Sequence, residues 1–419
     1  MKVLIDNSGY ELKNSGDVSM LVVAISRINN LLNNPEITVF TVNPSRLKEL
    51  FPNVKPLGIV GRHQWNSEWN ILGGIHKLFP KRFNPCLKKI EDYLKLNFYE
   101  LSKSRILSKM LRKKQSIESI NTYLHEVESA DLVITTGGGF VTDAFAEHAS
   151  RIMSTLLLAQ SLNKMTAMFG QGLGPVSDRK LISISKKVFP NLDFLGLREG
   201  VYSPVIANEF GLSSDKIIVT GDDAIEMAHA LTPKELGDSI GINLRVASYS
   251  SINNLFLERI RKVLNLISDD LKTGFVPVPI SGHDDDSDFK SISILLKKEL
   301  NHSEFMTSEQ VIKKVSSCRV VVTGSYHAAV YALSQGISVV VLIGSDYYKQ
   351  KFVGLENQFK VGCRLVNTSL EDFEVVLESA IREMWENAAS IRNELLIQAQ
   401  AQISLSRESY EKILSEQLH

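Results

Sequence analysis

The sequence predicts an α/β protein made of two successive open-sheet domains and a long C-terminal helix, and three observations predict it. Short apolar runs alternate with longer helical patterns over most of the chain, the rhythm of parallel strands joined by crossover helices. That rhythm is interrupted at the polar stretch Leu231–Asp238 and then restarts, as expected of a linker. Beyond Gly362 there is no glycine and beyond Pro279 no proline, so the chain from about Glu371 to Leu418 is free to be helical throughout. The division that follows is a first domain over 1–232 and a second over 233–419.

In the first domain Lys2–Asp6 reads as the opening strand, with a helix from about Asp17 to Leu32 and a second strand at Ile37–Val42. Asp131–Thr136 is the next clear strand, with a helix from about Thr142 to Asn163. Thr166–Gly170, Asp193–Leu197 and Lys216–Val219 continue in short steps. The second domain has strands at Ile240–Leu244, Gly274–Pro277, Val320–Thr323 and Val339–Ile343. Helices over about Ile252–Ser268, Asp285–Leu300, Glu309–Val315 and His327–Gln335 lie between them. One stretch breaks the pattern: between Lys81 and Lys114, eleven basic residues face three acidic ones, with leucines, Phe98 and Tyr99 interleaved. This basic amphipathic insertion, within about 55–115, suits either an anionic membrane surface or acceptor, or a solvated flap over the sheet edge.

Composition narrows the function. The chain of 419 residues carries 47 basic and 47 acidic side chains, which argues against a dedicated nucleic-acid binder. Three scattered cysteines make neither a disulfide framework nor a structural zinc site. No apolar run reaches the roughly 18 residues of a membrane span, and the apolar start after Met1-Lys2 is too short for a signal peptide. The expectation is a cytoplasmic, multi-domain enzyme.

Candidate site residues cluster where strands end, because ligands of open α/β sheets bind beyond the carboxyl ends of strands. Asn14, Gly16 and Asp17 lie between the first strand and helix; Asp17 either caps that helix or faces the cleft. Gly137, Gly138 and Gly139 follow the Asp131–Thr136 strand, and Gln171 and Gly172 sit in Gly170–Pro175 after the next. Neither glycine segment is a Walker A or a G-x-G-x-x-G sequence. Arg198 ends a strand, and either binds an anion or pairs with Glu199 or another nearby acid; Arg245 ends the first strand of the second domain. Asp285 belongs to the loop Gly282–Asp286, where His283 and the aspartates either hold a divalent metal or, more in keeping with sequence-adjacent acids, cap a helix. Ser325, Tyr326 and His327 follow the strand ending at Thr323, and a histidine there can move protons or touch phosphate. Lys349 and Lys351 come from the loop after Val339–Ile343.

Taken in order, Asn14–Asp17, Asp131–Gly139, Gly170–Pro175, Leu197–Glu199, Gly221–Asp223, Gly241–Arg245, Asp284–Asp286, the His327 helix, Gly336–Val340 and Lys351 resemble the polysaccharide pyruvyl transferase family. The resemblance runs from about residue 2 to 360 and is weakest over the basic insertion. It implies a fold similar to GT-B glycosyltransferases, with two Rossmann-like domains facing across a cleft. It implies transfer of a pyruvyl group from phosphoenolpyruvate, as a ketal, to two hydroxyls of a sugar in a cell-surface polysaccharide or its lipid-linked precursor. Phosphoenolpyruvate is then a co-substrate, with no other cofactor and no metal. Arg245 and Lys351 would take the anion and His327 would contact phosphate or transfer a proton, while Asn14, Asp17 and the glycine segments shape the acceptor side. The basic insertion 81–114 would hold the enzyme at the inner face of the cytoplasmic membrane, and a homo-oligomer is compatible with the sequence. The family usually has Arg-x-His where this chain has Ser325-Tyr326-His327. Either another cation compensates, Lys349 being the nearest in sequence, or the donor is a nucleotide sugar, as in a GT-B glycosyltransferase. A catalytically silent scaffold is the third reading, against which the retained cleft residues speak.

Overall fold

The computed structural model describes residues 1–72, 83–244, 254–282, 288–300 and 306–415. Its first sheet holds β1 (Lys2–Asp6), β2 (Glu36–Phe40), β3 (Lys55–Leu57), β4 (Leu132–Thr135), β5 (Gly138–Val141), β6 (Met165–Leu173), β7 (Phe194–Leu197) and β8 (Ile217–Val219). The strands run parallel in the order β3-β2-β1-β4-β6-β7-β8, with β5 added to the far part of β6. The second sheet, also parallel, holds β9 (Ser239–Asn243), β10 (Phe275–Pro277), β11 (Cys318–Thr323), β12 (Ser338–Ile343) and β13 (Cys363–Asn367) in the order β10-β9-β11-β12-β13. Strands covered by helices on both faces need continuous apolar runs, and β12 is buried along its whole length. The strand order reverses direction between β1 and β4 and again between β9 and β11, and the cleft lies beyond these two reversal points.

Several boundaries differ from the sequence reading for local reasons. The first helix spans Ser15–Leu31, because Asn14 rather than Asp17 caps it: the Asn14 carboxamide oxygen accepts from the amides of Gly16 and Asp17 at 2.9 and 3.2 Å. Gly170-Gln171-Gly172 is not a loop but the continuation of β6, and Gly138–Val141 is a short strand rather than a turn. Strands β3 and β13 lie at the sheet edges and are additions to the reading from sequence.

Helix Phe373–Ser415 has 43 residues and is about 65 Å long. Its start packs Phe373, Leu377 and Ile381 under the second sheet. Its end packs Tyr410, Ile413 and Leu414 against Val3 and Ile5 of the first, with the Tyr410 ring stacked on Phe169 at 3.8 Å. The seam between the sheets is tied beside the first helix as well. Ser15 donates its amide to Ile280 at 2.9 Å, and its carbonyl accepts from the hydroxyls of Tyr331 and Ser308 at 2.8 and 2.6 Å.

The basic insertion forms helices Asn84–Asn97 and Tyr99–Arg112. Tyr99, Ile106 and Met110 bury one side of it in the core of the first sheet, with Trp65, Phe40 and Ile120. Lys95 is buried too, donating to the carbonyls of Trp65 and Trp69 at 2.5 and 2.9 Å, and burial pushes its ammonium down to about 8. Among the described residues no helix is long and apolar enough to cross a membrane.

Candidate active site

Two side chains from opposite sheets meet at the centre of the cleft. Arg198 leaves the end of β7 and is 3% exposed; His327 lies in the first turn of helix Tyr326–Ser334 and is 9% exposed. Between them stands Asp222, just beyond β8, with its Oδ2 at 3.6 Å from Arg198 Nη1 and 3.8 Å from His327 Nε2. Its other oxygen accepts from the amide of Ala224 at 2.9 Å. The Arg198 guanidinium lies over the Tyr326 ring, 4.0 Å from its centroid.

Glycines make this approach possible. A Cβ on Gly139 would stand 2.3 Å from Arg198 Nη2 and 2.8 Å from Lys351 Cε, and one on Gly172 would stand 2.5 Å from Arg198 Nε. A Cβ on Gly16 would fall 2.1 Å from the His327 ring. These positions therefore need glycine for close approach, not for a left-handed backbone. Lys351 rises from helix Asp346–Phe359 on the same side, with Nζ 3.7 Å from the Tyr347 ring centroid and donating to the Tyr347 hydroxyl. That hydroxyl donates to the carbonyl of Gly139 at 3.4 Å.

Four polar atoms in this cluster are buried without a hydrogen-bond partner: Arg198 Nη2, Asp222 Oδ2, Tyr326 Oη and His327 Nε2. Buried polar groups are nearly always satisfied, so four orphans in one cluster mark a place for a polar ligand. The electrostatics agree. Burial holds the His327 imidazole down at about 4, against the pull of Asp17 and with the help of Arg198 and Lys351, so it is neutral near pH 7. Burial lifts the Asp222 carboxyl to about 6, although Arg198 opposes the shift. The site thus sets two cations, Arg198 and Lys351, beside the carboxyls of Asp222 and Asp17.

The other expected site residues are placed as follows. Asn14 is spent on the helix cap and on the seam with the second sheet, where it bridges Ser281. Asp17 accepts from the Ser8 hydroxyl at 2.9 Å, close enough to His327 for its charge to be felt there. A Cβ on Gly137 would meet Met20 at 2.6 Å, and one on Gly138 would meet Ser8 at 2.9 Å. Gln171 is buried and donates to Thr135 Oγ1 and to the carbonyls of Thr136 and Phe169, which makes it a brace between β4 and β6. Glu199 is not the partner of Arg198; it accepts from the amides of Val201, Tyr202 and Ser203 and holds the start of helix Ser203–Glu209. Ser325 precedes the histidine helix, with its amide donating to Thr323 Oγ1 at 2.8 Å. Lys349 is exposed, about 200° around the helix from Lys351. Arg245, Asp285 and the rest of the possible metal loop, His283 included, lie outside the described residues. Among the described residues, no group of three or more His, Cys, Asp or Glu side chains is placed to hold a metal. Asp222 is the residue that reasoning from sequence passed over. Its signal was Gly221-Asp222-Asp223 directly after a strand, the same strand-end context that pointed to Arg198.

Comparison with known proteins supplies the fold and the family. No curated protein matches in sequence. A protein assigned as a UDP-N-acetylglucosamine 2-epimerase from Listeria monocytogenes superposes with a TM-score of 0.58 at 13% identity, covering 99% of this chain and 95% of its own. A UDP-glucosyltransferase from Polygonum tinctorium gives 0.55 at 11% identity, covering 100% and 98%. The UDP-GlcNAc 2-epimerase from Neisseria meningitidis, solved with UDP-GlcNAc bound, gives 0.52 at 13% identity, covering 100% and 99%. Identities this low speak for the fold alone, and that fold is GT-B-like. Residues 14–346, which include Gly16, Arg198, Asp222 and His327, match the polysaccharide pyruvyl transferase family. The chain is therefore a member of the polysaccharide pyruvyl transferases.

Proposed function

We propose that this chain transfers the pyruvyl group of phosphoenolpyruvate, as a ketal, to two hydroxyls of a sugar in a cell-surface polysaccharide or its lipid-linked precursor. The observation that carries this reading is the convergence of Arg198, Asp222, Tyr326 and His327 with four unsatisfied buried polar atoms beside Lys351. A small polyanion with phosphate and carboxylate oxygens is what such a cationic, donor-rich pocket would favour. Family membership supports the reaction class. Beside Ser325, which stands where the family has an arginine, the cation in the cleft is Arg198, which enters from the other sheet and rests on Tyr326.

The chemistry then orders itself around the neutral imidazole. The methylene carbon of the donor must gain a proton, which leaves an oxocarbenium-like centre at the carbon bearing phosphate. One sugar hydroxyl attacks that centre and loses its proton; the second attacks in turn as the C–O bond to phosphate breaks, and its proton leaves with the departing phosphate. His327 is uncharged in the empty cleft, and a bound polyanion beside it raises its proton affinity, so its role as a proton donor begins only with donor bound. Asp222, 3.8 Å from Nε2, is the carboxyl beside the ring that would share in that proton transfer. Ser8 and Asp17, beside Gly138 and His327, lie on the side left for the acceptor. Capsule or exopolysaccharide assembly in the cytoplasm is the setting that such an acceptor implies.

Calorimetric titration with phosphoenolpyruvate and with a panel of nucleotide sugars tests the donor. Saturable phosphoenolpyruvate binding that is lost in Arg198→Ala supports the proposal. Binding of a UDP-sugar with no phosphoenolpyruvate signal would instead make the chain a GT-B glycosyltransferase in chemistry as well as in fold.

A further inference from the structure

We infer that the joint between helices Asn84–Asn97 and Tyr99–Arg112 is a docking surface for an anionic lipid bilayer. The two helices meet at Phe98, and around that joint large apolar side chains stand in solvent: Ile90 is 48% exposed, Tyr93 59%, Phe98 49% and Leu101 72%. They form a patch, since Tyr93 and Phe98 are in ring contact at 6.5 Å and each of the other two lies one helical turn from one of these. They are not core residues left uncovered. The inner side of the same helices is already filled by Tyr99, Ile106 and Met110, and the base is fixed where Arg105 donates to the Ile71 carbonyl at 3.0 Å.

Charge identifies the occupant. Residues 83–114 hold nine basic and three acidic side chains, in a chain whose total charge is zero, so the excess is local. Lys89, beside Ile90, is exposed. Lys95, by contrast, is turned inward. A second copy of this chain would bring the same positive charge against itself and is disfavoured. An anionic headgroup layer offers what the patch asks for: apolar depth for Phe98 and Leu101, an interfacial position for Tyr93, and negative charge for Lys89. The position in the fold is apt. The insertion springs from the chain between β3 and helix Glu118–Ser129, and Gly61 and Ser119 are in close contact where it leaves and returns. Helix Val60–His63 follows the carboxyl end of β3, so the insertion stands on the rim of the sheet that also bears the cleft.

The docking rests on the helices and is independent of which donor the cleft takes, so the test reads lipid binding and not turnover. The full chain is floated with vesicles of phosphatidylcholine alone and with vesicles that also contain phosphatidylglycerol. The wild-type chain is expected to float with the anionic vesicles only, and less as salt is raised. Phe98→Asp combined with Leu101→Asp should weaken binding at least about tenfold, with an unchanged thermal midpoint. Lys89→Glu should weaken it with the apolar patch intact. A wild-type chain that stays with the pellet fraction, or a Phe98/Leu101 variant that still floats, would overturn the inference. So would a wild-type dimer that the same double variant turns into a monomer while vesicles are ignored, which would assign the patch to self-association.

Discussion

Arg198 owes its place to its neighbours' lack of side chains and to an aromatic ring beneath it, and those two features decide what substitutions do. With Nη2 unpaired and Asp222 no closer than 3.6 Å, the guanidinium is held ready for an anion rather than consumed by a carboxylate. Arg198→Ala is expected to weaken phosphoenolpyruvate binding by about 3 kcal/mol, roughly 100-fold, as truncating one partner of a buried charge pair does. Arg198→Lys should recover only part of this, because an ammonium cannot reproduce the planar fork over Tyr326. In the same titration Lys351→Ala should lose affinity and the solvent-facing Lys349→Ala should not; equal losses would mean that the helix, not the cation, matters. The pair His327 and Asp222 makes a second prediction, on stability against pH. The folded pKa of His327 is lowered from 6.5 to about 4, so its contribution is present above about 6.5 and is lost as pH falls through about 4. The folded pKa of Asp222 is raised from 3.8 to about 6, so its contribution is present below about 3.8 and is lost as pH rises through about 6. Between these limits the two slopes oppose each other. Asp222→Asn should therefore lose stability relative to wild type on acidification across this window, and His327→Gln on alkalinisation, each by about 3 kcal/mol. Urea unfolding at both ends of the window measures it; parallel curves for the two variants would refute the opposed shifts.

At the scale of elements, the histidine helix and the first helix of the chain are locked together by a missing atom. Alanine at position 16 would place its Cβ 2.1 Å from the His327 ring, so either the ring or the helix start must move. Gly16→Ala should lower stability by about 1–3 kcal/mol and abolish donor binding. Gly58→Ala serves as the control, because a Cβ there meets nothing within 4 Å. Thermal melts and titration of both variants check this, and a Gly16→Ala chain that binds donor normally would mean that His327 stands elsewhere when the cleft is filled. Elements of this kind were legible in sequence where hydrophobic period and strand-end glycines coincide, as in β1, β4, β11 and β12. Three strands were not, each for a physical reason. β3 has three residues, with Pro56 in the middle and Lys55 in solvent. β5 begins with two glycines, which read as a turn until the partner β6 is known to run on past Gly170. β13 is an edge strand of five residues in which Arg364 and Asn367 face water without a regular alternation, too short for a clear period. The site was legible in the same measure. Arg198 and His327 come directly after strands, and Lys351 lies in a helix where a loop was expected, whereas Gln171 occupies a strand-end position and turns inward as a brace. Which of two neighbouring lysines faces the cleft depends on helix phase, which begins at a boundary that sequence places only loosely.

For the whole molecule, the crossing helix joins the two sheets, and two adjacent aspartates show how the joint and the site share one turn of chain. Asp222 faces the cleft, while Asp223 faces the end of helix Phe373–Ser415. Asp223 accepts from Arg27 at 2.9 Å, from the Ser406 hydroxyl at 2.7 Å and from the Tyr410 hydroxyl at 2.9 Å. Arg27 reaches on to Glu226, which also accepts from Arg407, so a network of six residues binds the first helix, the β8 end and the crossing helix. Removing Asp223 leaves Arg27 and Tyr410 without their shared acceptor in a buried place, a change that typically costs about 3–5 kcal/mol. Removing the charge of Asp222 should do the opposite near pH 7, because that carboxylate is buried with one oxygen unsatisfied. Asp223→Ala is thus expected to lower the unfolding midpoint sharply and to open the C-terminal end of the helix to protease, while Asp222→Asn holds or raises the midpoint and loses activity. Two neighbouring positions, one carrying architecture and the other function, should separate cleanly in a paired thermal melt and phosphate-release assay. If both substitutions lowered the midpoint alike, Asp222 would be a structural anchor, and the cleft would have to be assigned its proton chemistry from His327 alone.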